Sequence, residues 1–432
     1  MAKRHDNLYG EVASFRALRA AAKRAIRGKR GKPGASAFHA NLETEILRLE
    51  RELRAQTYRP GRYVEIQIHD PKKRIVSAAP FRDRVVHHAL CAVIEPIFEA
   101  GFIANSFANR RGKGTHKAIE AYERYRDSHD HVLRCDIFRY FPAIDHAILK
   151  AEYRRRIKCE RTLWLMDLIV DGSNRQEPVN LYFPGDDLFA PHGRRRGLPL
   201  GNLTSQFFAN MYLDRFDHFV TEVLHAPYVR YVDDFALFHD NPAVLAEWRE
   251  RTAAHLAGRR LKLHPEKTFV LPTDRAADFL GLTLEPDGFR RLPEAGVRRF
   301  SNRMRSMQYG WQNGDAAARQ KIGSRIQSWA AHASHANSWR LRQAIFKRSR
   351  FDPAEPLKPE RLPAGGFCAA VPGTTIHRTS APPTATGTPR TTVTTISVSA
   401  SPVHFPPEPG DHGPAGSASK CPGPFMMRSP GA

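Results

Sequence analysis

YVRYVDDFALFHD, residues 228–240, decides how this chain is read. Two apolar, β-rich runs flank the adjacent carboxylates Asp233 and Asp234, the pattern of a hairpin with an acidic tip. Like charges side by side at a turn repel, and they cost stability unless a cation stands between them. A divalent metal is the usual reason to keep such a pair, and two-metal phosphoryl transfer is the usual chemistry. An isolated Asp-Asp in a loop is more often a solvated acidic turn. Here the rest of the chain decides against that.

Working outward, Lys and Arg number 67 against 44 Asp and Glu, a formal charge of +23. That excess favours a polyanionic partner, nucleic acid first. At 432 residues one large or two to three smaller domains are expected. Cys91, Cys135, Cys159, Cys368 and Cys421 are scattered, with no Cys/His ligand spacing, so a structural zinc site or a disulfide framework is not expected. No apolar run is long enough to span a membrane, and MAKRHDNLYG carries no signal-peptide core. A soluble, cytoplasmic protein with no membrane partner is the expectation.

The apolar spacing predicts a basic helix over 8–30 and an amphipathic helix over 40–56, carried by Leu42, Ile46, Leu49 and Leu53. YVEIQIHD (63–70) alternates as a strand, and 82–99 reads as a helix. VLRCDIFRYF (132–141) begins as a buried strand. Helices are predicted over 146–171, 203–224 and about 242–258, and basic helices over 294–348, with a polar Gly/Pro/Arg-rich loop at 172–196. Interleaved strands and helices of this kind give an α+β sheet domain with helical flanks. From 363 onward Pro, Thr, Ser, Gly and Ala dominate; such a segment cannot bury enough apolar surface to offset its ordering entropy, and disorder is expected.

Asp136 ends the strand VLRCD, about 100 residues before the Asp pair. A strand-end Asp often only caps the next helix, but with a hairpin Asp pair it supplies what a two-metal nucleotidyl-transfer site needs. Five segments then fall in order: DIFRYFPAIDH (136–146), RRRGLPLGNLTSQFFAN (194–210), YVRYVDDF (228–235), LHPEKT (263–268) and DFLG (278–281). Together they resemble the successive palm motifs of reverse transcriptases, in order and spacing across roughly residues 60–285. More narrowly, the chain resembles the reverse transcriptases of diversity-generating retroelements. Leu200-Gly201-Asn202-Leu203-Thr204-Ser205-Gln206 is that group's variant of a motif that elsewhere begins Gln-Gly and ends Ser-Pro. HDNLYGEVASFRALRAAAKRAIRGKR (5–30) and PKKRIVSAAPFRDRVVHHAL (71–90) are also similar to its members.

The resemblance implies a right-hand polymerase fold: N-terminal helices and fingers over 1–130, a catalytic palm over 131–285, a helical thumb over 286–350 and a disordered tail over 351–432. It implies Asp136, Asp233 and Asp234 as ligands of two Mg²⁺ ions, with Mn²⁺ as the substitute, and the backbone carbonyl of Ile137 as a further metal ligand. Lys267 matches a lysine that protonates the leaving pyrophosphate. Phe141 matches an aromatic gate against the 2′-hydroxyl of ribonucleotides, and Lys73, Arg74, Arg82 and Arg111 match triphosphate or template contacts, where guanidinium forks suit phosphate oxygens. Leu200, Gly201 and Gln206 line the nascent base pair in the family; Leu200 replaces a glutamine there, which implies looser selection opposite adenine. Phe279, Leu280 and Gly281 match the hairpin that steadies the primer end.

Template RNA, a DNA or RNA primer, dNTPs and a small basic accessory protein are the implied partners. The implied function is copying of a template-repeat RNA into cDNA that replaces a variable region of a target gene. Consistent with this, Ala369–Ala400 read two bases on can encode an asparagine-rich string similar to such a repeat. The alternatives are a reverse transcriptase of a group II intron, retron or CRISPR-associated system, or a non-catalytic RNA-binding protein on a decayed polymerase fold.

Overall fold

The computed structural model describes residues 3–68, 74–174, 176 and 179–347. Lys73 and the tail expected to be disordered lie outside the described residues, and of Arg74 only the backbone is described. Among the described residues nine strands form three antiparallel sheets. β1 (Val64–Ile68) pairs with β2 (Arg74–Ala78) as a two-stranded ribbon. β3 (His131–Asp136), β4 (Tyr228–Tyr231), β5 (Asp234–His239) and β6 (Phe269–Pro272) form the central sheet, in the order β4-β5-β3-β6. β7 (Ala277–Phe279), β8 (Leu282–Leu284) and β9 (Arg290–Arg291) form the third.

Strand alternation gives the central sheet two different faces. Leu133, Cys135, Tyr228, Phe235 and Leu237 point into the main core, against the helices Phe81–Glu99 and Leu203–His218. Val132, Val229, Ala236 and Phe238 point the other way, into a second core with Tyr122, Phe279, Leu282 and Leu284. That second core covers only part of its face, and Asp136 and Asp234 lie on the same face at the end of their strands. A third core, built from Phe300, Met304, Met307, Ile322, Ile326 and Phe346, holds the C-terminal helices together. Trp329 stacks on Phe300 with ring centroids 3.8 Å apart, so this tryptophan serves packing.

The fold class is the α+β right-hand polymerase class expected, and several helices are shorter than the apolar spacing suggested. The first breaks at Ser14, whose hydroxyl caps Phe15–Ala25 by accepting from the Ala17 amide. The stretch 146–171 divides into His146–Arg154 and Glu160–Asp171. Leu203–His218 passes into a π-helical turn, Phe219–Val223, and 294–347 forms three helices: Glu294–Asn313, Ala316–Ala333 and Trp339–Lys347. Apolar periodicity runs through such breaks because both halves face one core, so it cannot mark them. Among the described residues no helix is long and apolar enough to cross a membrane.

Candidate active site

Tyr231 pairs with Asp234, so only Val232 and Asp233 form the turn between β4 and β5. So tight a connection needs positive φ, and Val232 adopts +60°, a costly conformation for a β-branched residue. The buried Arg230 supports it. Its Nη1 donates to the Val232 carbonyl at 3.0 Å and to Asn210 Oδ1, its Nη2 donates to Ser106 Oγ at 3.0 Å, and its Nε and Nη2 grip Asp217 at 2.6 and 2.5 Å. A buried guanidinium with its donors occupied this way is rigid.

Asp136 is the direct cross-strand partner of Asp234. The Ile137 amide then donates to the Asp233 carbonyl at 3.0 Å, and the His264 amide to the Asp136 carbonyl at 2.7 Å. Three segments far apart in sequence are thereby tied at one sheet end. The carboxylates feel one another: burial, and then the charges of Asp136 and Asp234, push Asp233 up to about 6. Burial raises Asp234 as well, with Arg134 pulling it back.

Two cations offset this cluster. Lys267 Nζ lies 2.7 Å from Asp136 Oδ2, and Arg134 Nη2 lies 3.2 Å from Asp234 Oδ1. No three His, Cys, Asp or Glu side chains among the described residues converge to hold a metal ion. The donor set itself fits a hard divalent cation, since carboxylate oxygens are the ligands such ions take and mutual repulsion is what a cation would relieve.

Phe141 is half-buried beside Tyr140, with ring centroids 5.6 Å apart, and its carbonyl accepts from the Leu198 amide at 3.0 Å. That bond leads into the loop bearing Leu200, whose carbonyl accepts from the Ser77 amide of β2 at 3.0 Å. Asn202 completes the joint: its Nδ2 donates to the Ser77 carbonyl at 2.8 Å and its Oδ1 accepts from the Ala79 amide at 3.3 Å. Gly201 stands at φ +98°, where a Cβ would meet Val76 Cγ1 at 2.6 Å, so this close approach requires glycine. Gln206 lies one turn into the following helix, half-exposed.

Phe279, Leu280 and Gly281 form the corner between β7 and β8, with Leu280 at φ +49° and Gly281 at +84°. Phe279 is buried against Tyr122, ring centroids 4.5 Å apart.

The basic residues are divided. Arg82 bonds to Glu52 and lies over the Tyr58 ring at 5.2 Å, turned toward the N-terminal helices. Arg111 is exposed, whereas its neighbour Arg110 is bound to Glu99 at 2.7 Å and to two carbonyls.

Sequence reasoning passed over Arg134, Asn202 and the Arg230–Asp217 pair. Only Arg230 left a trace, as a charge between apolar residues in a strand that reads as buried.

A carboxylate-bearing antiparallel sheet packed on helices, with a β-ribbon joined to the Leu200–Asn202 loop, is compatible with a nucleic-acid polymerase palm. A family model described as Reverse transcriptase (RNA-dependent DNA polymerase) matches residues 66–284. The chain belongs to this family, and by class it is an RNA-directed DNA polymerase. It is 25% identical over 285 residues to protein YkfC of Escherichia coli (strain K12), covering 56% of this chain and 72% of that protein. It is 27% identical over 163 residues to an uncharacterized 91 kDa protein in a cob intron of Schizosaccharomyces pombe, covering 38% of this chain and 19% of that one. Telomerase structures from Candida albicans and Candida tropicalis align with TM-scores of 0.35 and 0.37 at 12% and 10% identity. Those alignments cover 63% and 56% of this chain and 55% and 58% of theirs.

Proposed function

We propose that this chain extends a DNA or RNA primer along an RNA template with dNTPs. We further propose that it serves a diversity-generating retroelement, copying a template repeat with errors at adenines so that the cDNA replaces a variable region of a target gene. The observation that carries the polymerase reading is the register of Asp136 against Asp234, with the Asp233 backbone tied to Ile137. The narrower reading is supported by the motif Leu200–Gln206. An apolar side chain at Leu200 offers the nascent pair no hydrogen bond, and Asn202 and Gly201 fix that loop against β2.

Asp136, Asp233 and Asp234, with the Ile137 carbonyl, are the groups that would hold Mg²⁺, or Mn²⁺ in its place. Such ions lower the pKa of the primer 3′-hydroxyl and neutralise charge on the triphosphate and leaving pyrophosphate. The chain's own residues supply the rest. Lys267, an exposed ammonium at the edge of the carboxylates, holds the proton for the leaving group at Nζ. Phe141 presents a ring where a 2′-hydroxyl would have to fit. Lys73, Arg74, Arg82 and Arg111 provide positive charge for phosphates, Arg82 after leaving Glu52. The corner Phe279–Gly281 seats the primer end. A small basic accessory protein is the proposed partner.

Extension of a DNA primer on an RNA template in Mg²⁺ tests this directly. The expected product is full-length cDNA whose substitutions concentrate opposite template adenines. Binding without synthesis would return the chain to the non-catalytic RNA-binding reading, and evenly spread errors would remove the retroelement assignment. The neighbouring DNA bears on the same point: a second near-copy of the repeat is expected, and intron RNA domains would favour the intron alternative.

A further inference from the structure

Arg134 sits on β3, two residues before Asp136 and therefore on the same face of the sheet. Its guanidinium joins two segments about 45 residues apart in sequence. Nη2 reaches Asp234 Oδ1 at 3.2 Å, while Nη1 donates to the carbonyl of Asp278 on β7. The same guanidinium carbon lies 5.3 Å from the centroid of the Phe279 ring, a cation–π contact. The side chain is 14% exposed, and its contact with Asp234 is partly buried, where charge-assisted bonds gain strength. A planar fork can hold a carboxylate with one arm and a carbonyl with the other while lying on a ring, which a lysine ammonium cannot reproduce.

We infer that Arg134 is a positioning residue: it fixes the Asp278–Gly281 corner at a set distance from Asp234, so that a primer terminus seated on that corner meets the carboxylates. This rests on the polymerase reading above. It adds a residue to that site and assigns it one role, recognition of a recessed 3′ end. Asp234 keeps its place through the β3–β5 register without Arg134, and Phe279 keeps its packing on Tyr122. The second core packs Phe279 with Ala236 and Phe238 of β5, and Arg134 adds a polar tie from the corner to the Asp234 carboxylate itself.

The test compares two probes on the full chain: a DNA primer recessed on an RNA template, and the same RNA single-stranded. Wild type is expected to bind the recessed duplex more tightly and to extend it. Arg134→Met, close in volume but without charge or fork, is expected to lose about tenfold in affinity for the recessed duplex, with single-stranded RNA binding unchanged. Arg134→Lys is expected to recover only part of that loss. Phe279→Leu is expected to give a similar loss, and the double variant no more than the larger single effect, because both break one contact.

Equal loss on both probes, no loss on either, or additive losses would each overturn the inference, leaving Arg134 a general phosphate contact or a packing residue. Should Arg134→Met fail to fold, Phe279→Leu and Arg134→Lys decide by the same criteria. A wild-type chain with no preference for the recessed end removes the polymerase reading and this inference together. A preference that Arg134→Met retains removes the inference alone.

Discussion

Phe141 is half-buried, and its backbone is pinned to the Leu198 amide, so truncating its ring opens space without moving the loop. If the proposed gate role holds, Phe141→Ala is expected to cut discrimination against rNTPs by about tenfold or more in kcat/KM, measured by single-nucleotide extension, because a gating ring would act by exclusion alone. Unchanged discrimination would make the ring a packing residue. Asp214 lies in the helix Leu203–His218, and burial pushes it up to about 6, with Asp217 adding to that and His218 opposing it. Its proton is therefore bound more tightly in the folded chain than in the unfolded one, where the value is near 4. The stability this contributes is whole below about pH 4 and lost as pH rises through about 6. Asp214→Asn is therefore expected to stabilise the chain at pH 7.5 by on the order of 2 kcal/mol in urea unfolding, with the gain shrinking toward pH 5. A variant less stable than wild type at both pH values would contradict this. The placement of Asp136 at a strand end and of Asp233 and Asp234 at a hairpin tip was legible from the apolar runs around them. Arg134 and Asn202 were not, because their partners, Asp278 and Ser77, are brought to them only by the assembled fold.

At the scale of elements, the β4–β5 hairpin was readable from two apolar runs around an acidic tip, and the structure places its turn at Val232–Asp233. What the pattern did not reveal is the support beneath. Arg230 holds the Val232 carbonyl and is itself held by Asp217, which also accepts from the Tyr228 hydroxyl at 2.9 Å. Breaking a fully buried pair leaves an uncompensated charge, so Asp217→Asn is expected to cost about 3–5 kcal/mol in unfolding free energy. Replacing both partners, with Arg230→Met and Asp217→Leu, is expected to recover most of that stability yet still slow synthesis, since Val232 loses its donor. A double variant that synthesises at the wild-type rate would show that the strained turn holds itself. Helix limits were the least legible feature: the π-helical turn Phe219–Val223 and the break after Arg154 both continue an apolar stripe that sequence reads as unbroken.

The whole molecule separates two tasks. A formal charge of +23 favours a polyanionic partner such as RNA, and binding carried by that charge is expected to fall steeply with salt. On the reading proposed above, reaction instead depends on Asp136, Asp233 and Asp234, which the β3–β5 register and the β4–β5 turn bring to one sheet end from segments about 100 residues apart. On this reading, attracting RNA and extending a primer are independent tasks, and one measurement addresses that: RNA binding across a salt series and primer extension, on the same preparations of wild type, Asp136→Asn and Asp233→Asn. Both variants are expected to bind RNA within about twofold of wild type with the same salt slope, while extension falls by roughly a thousandfold or more. Extension at the wild-type rate by either variant, or loss of binding in step with loss of synthesis, would contradict it.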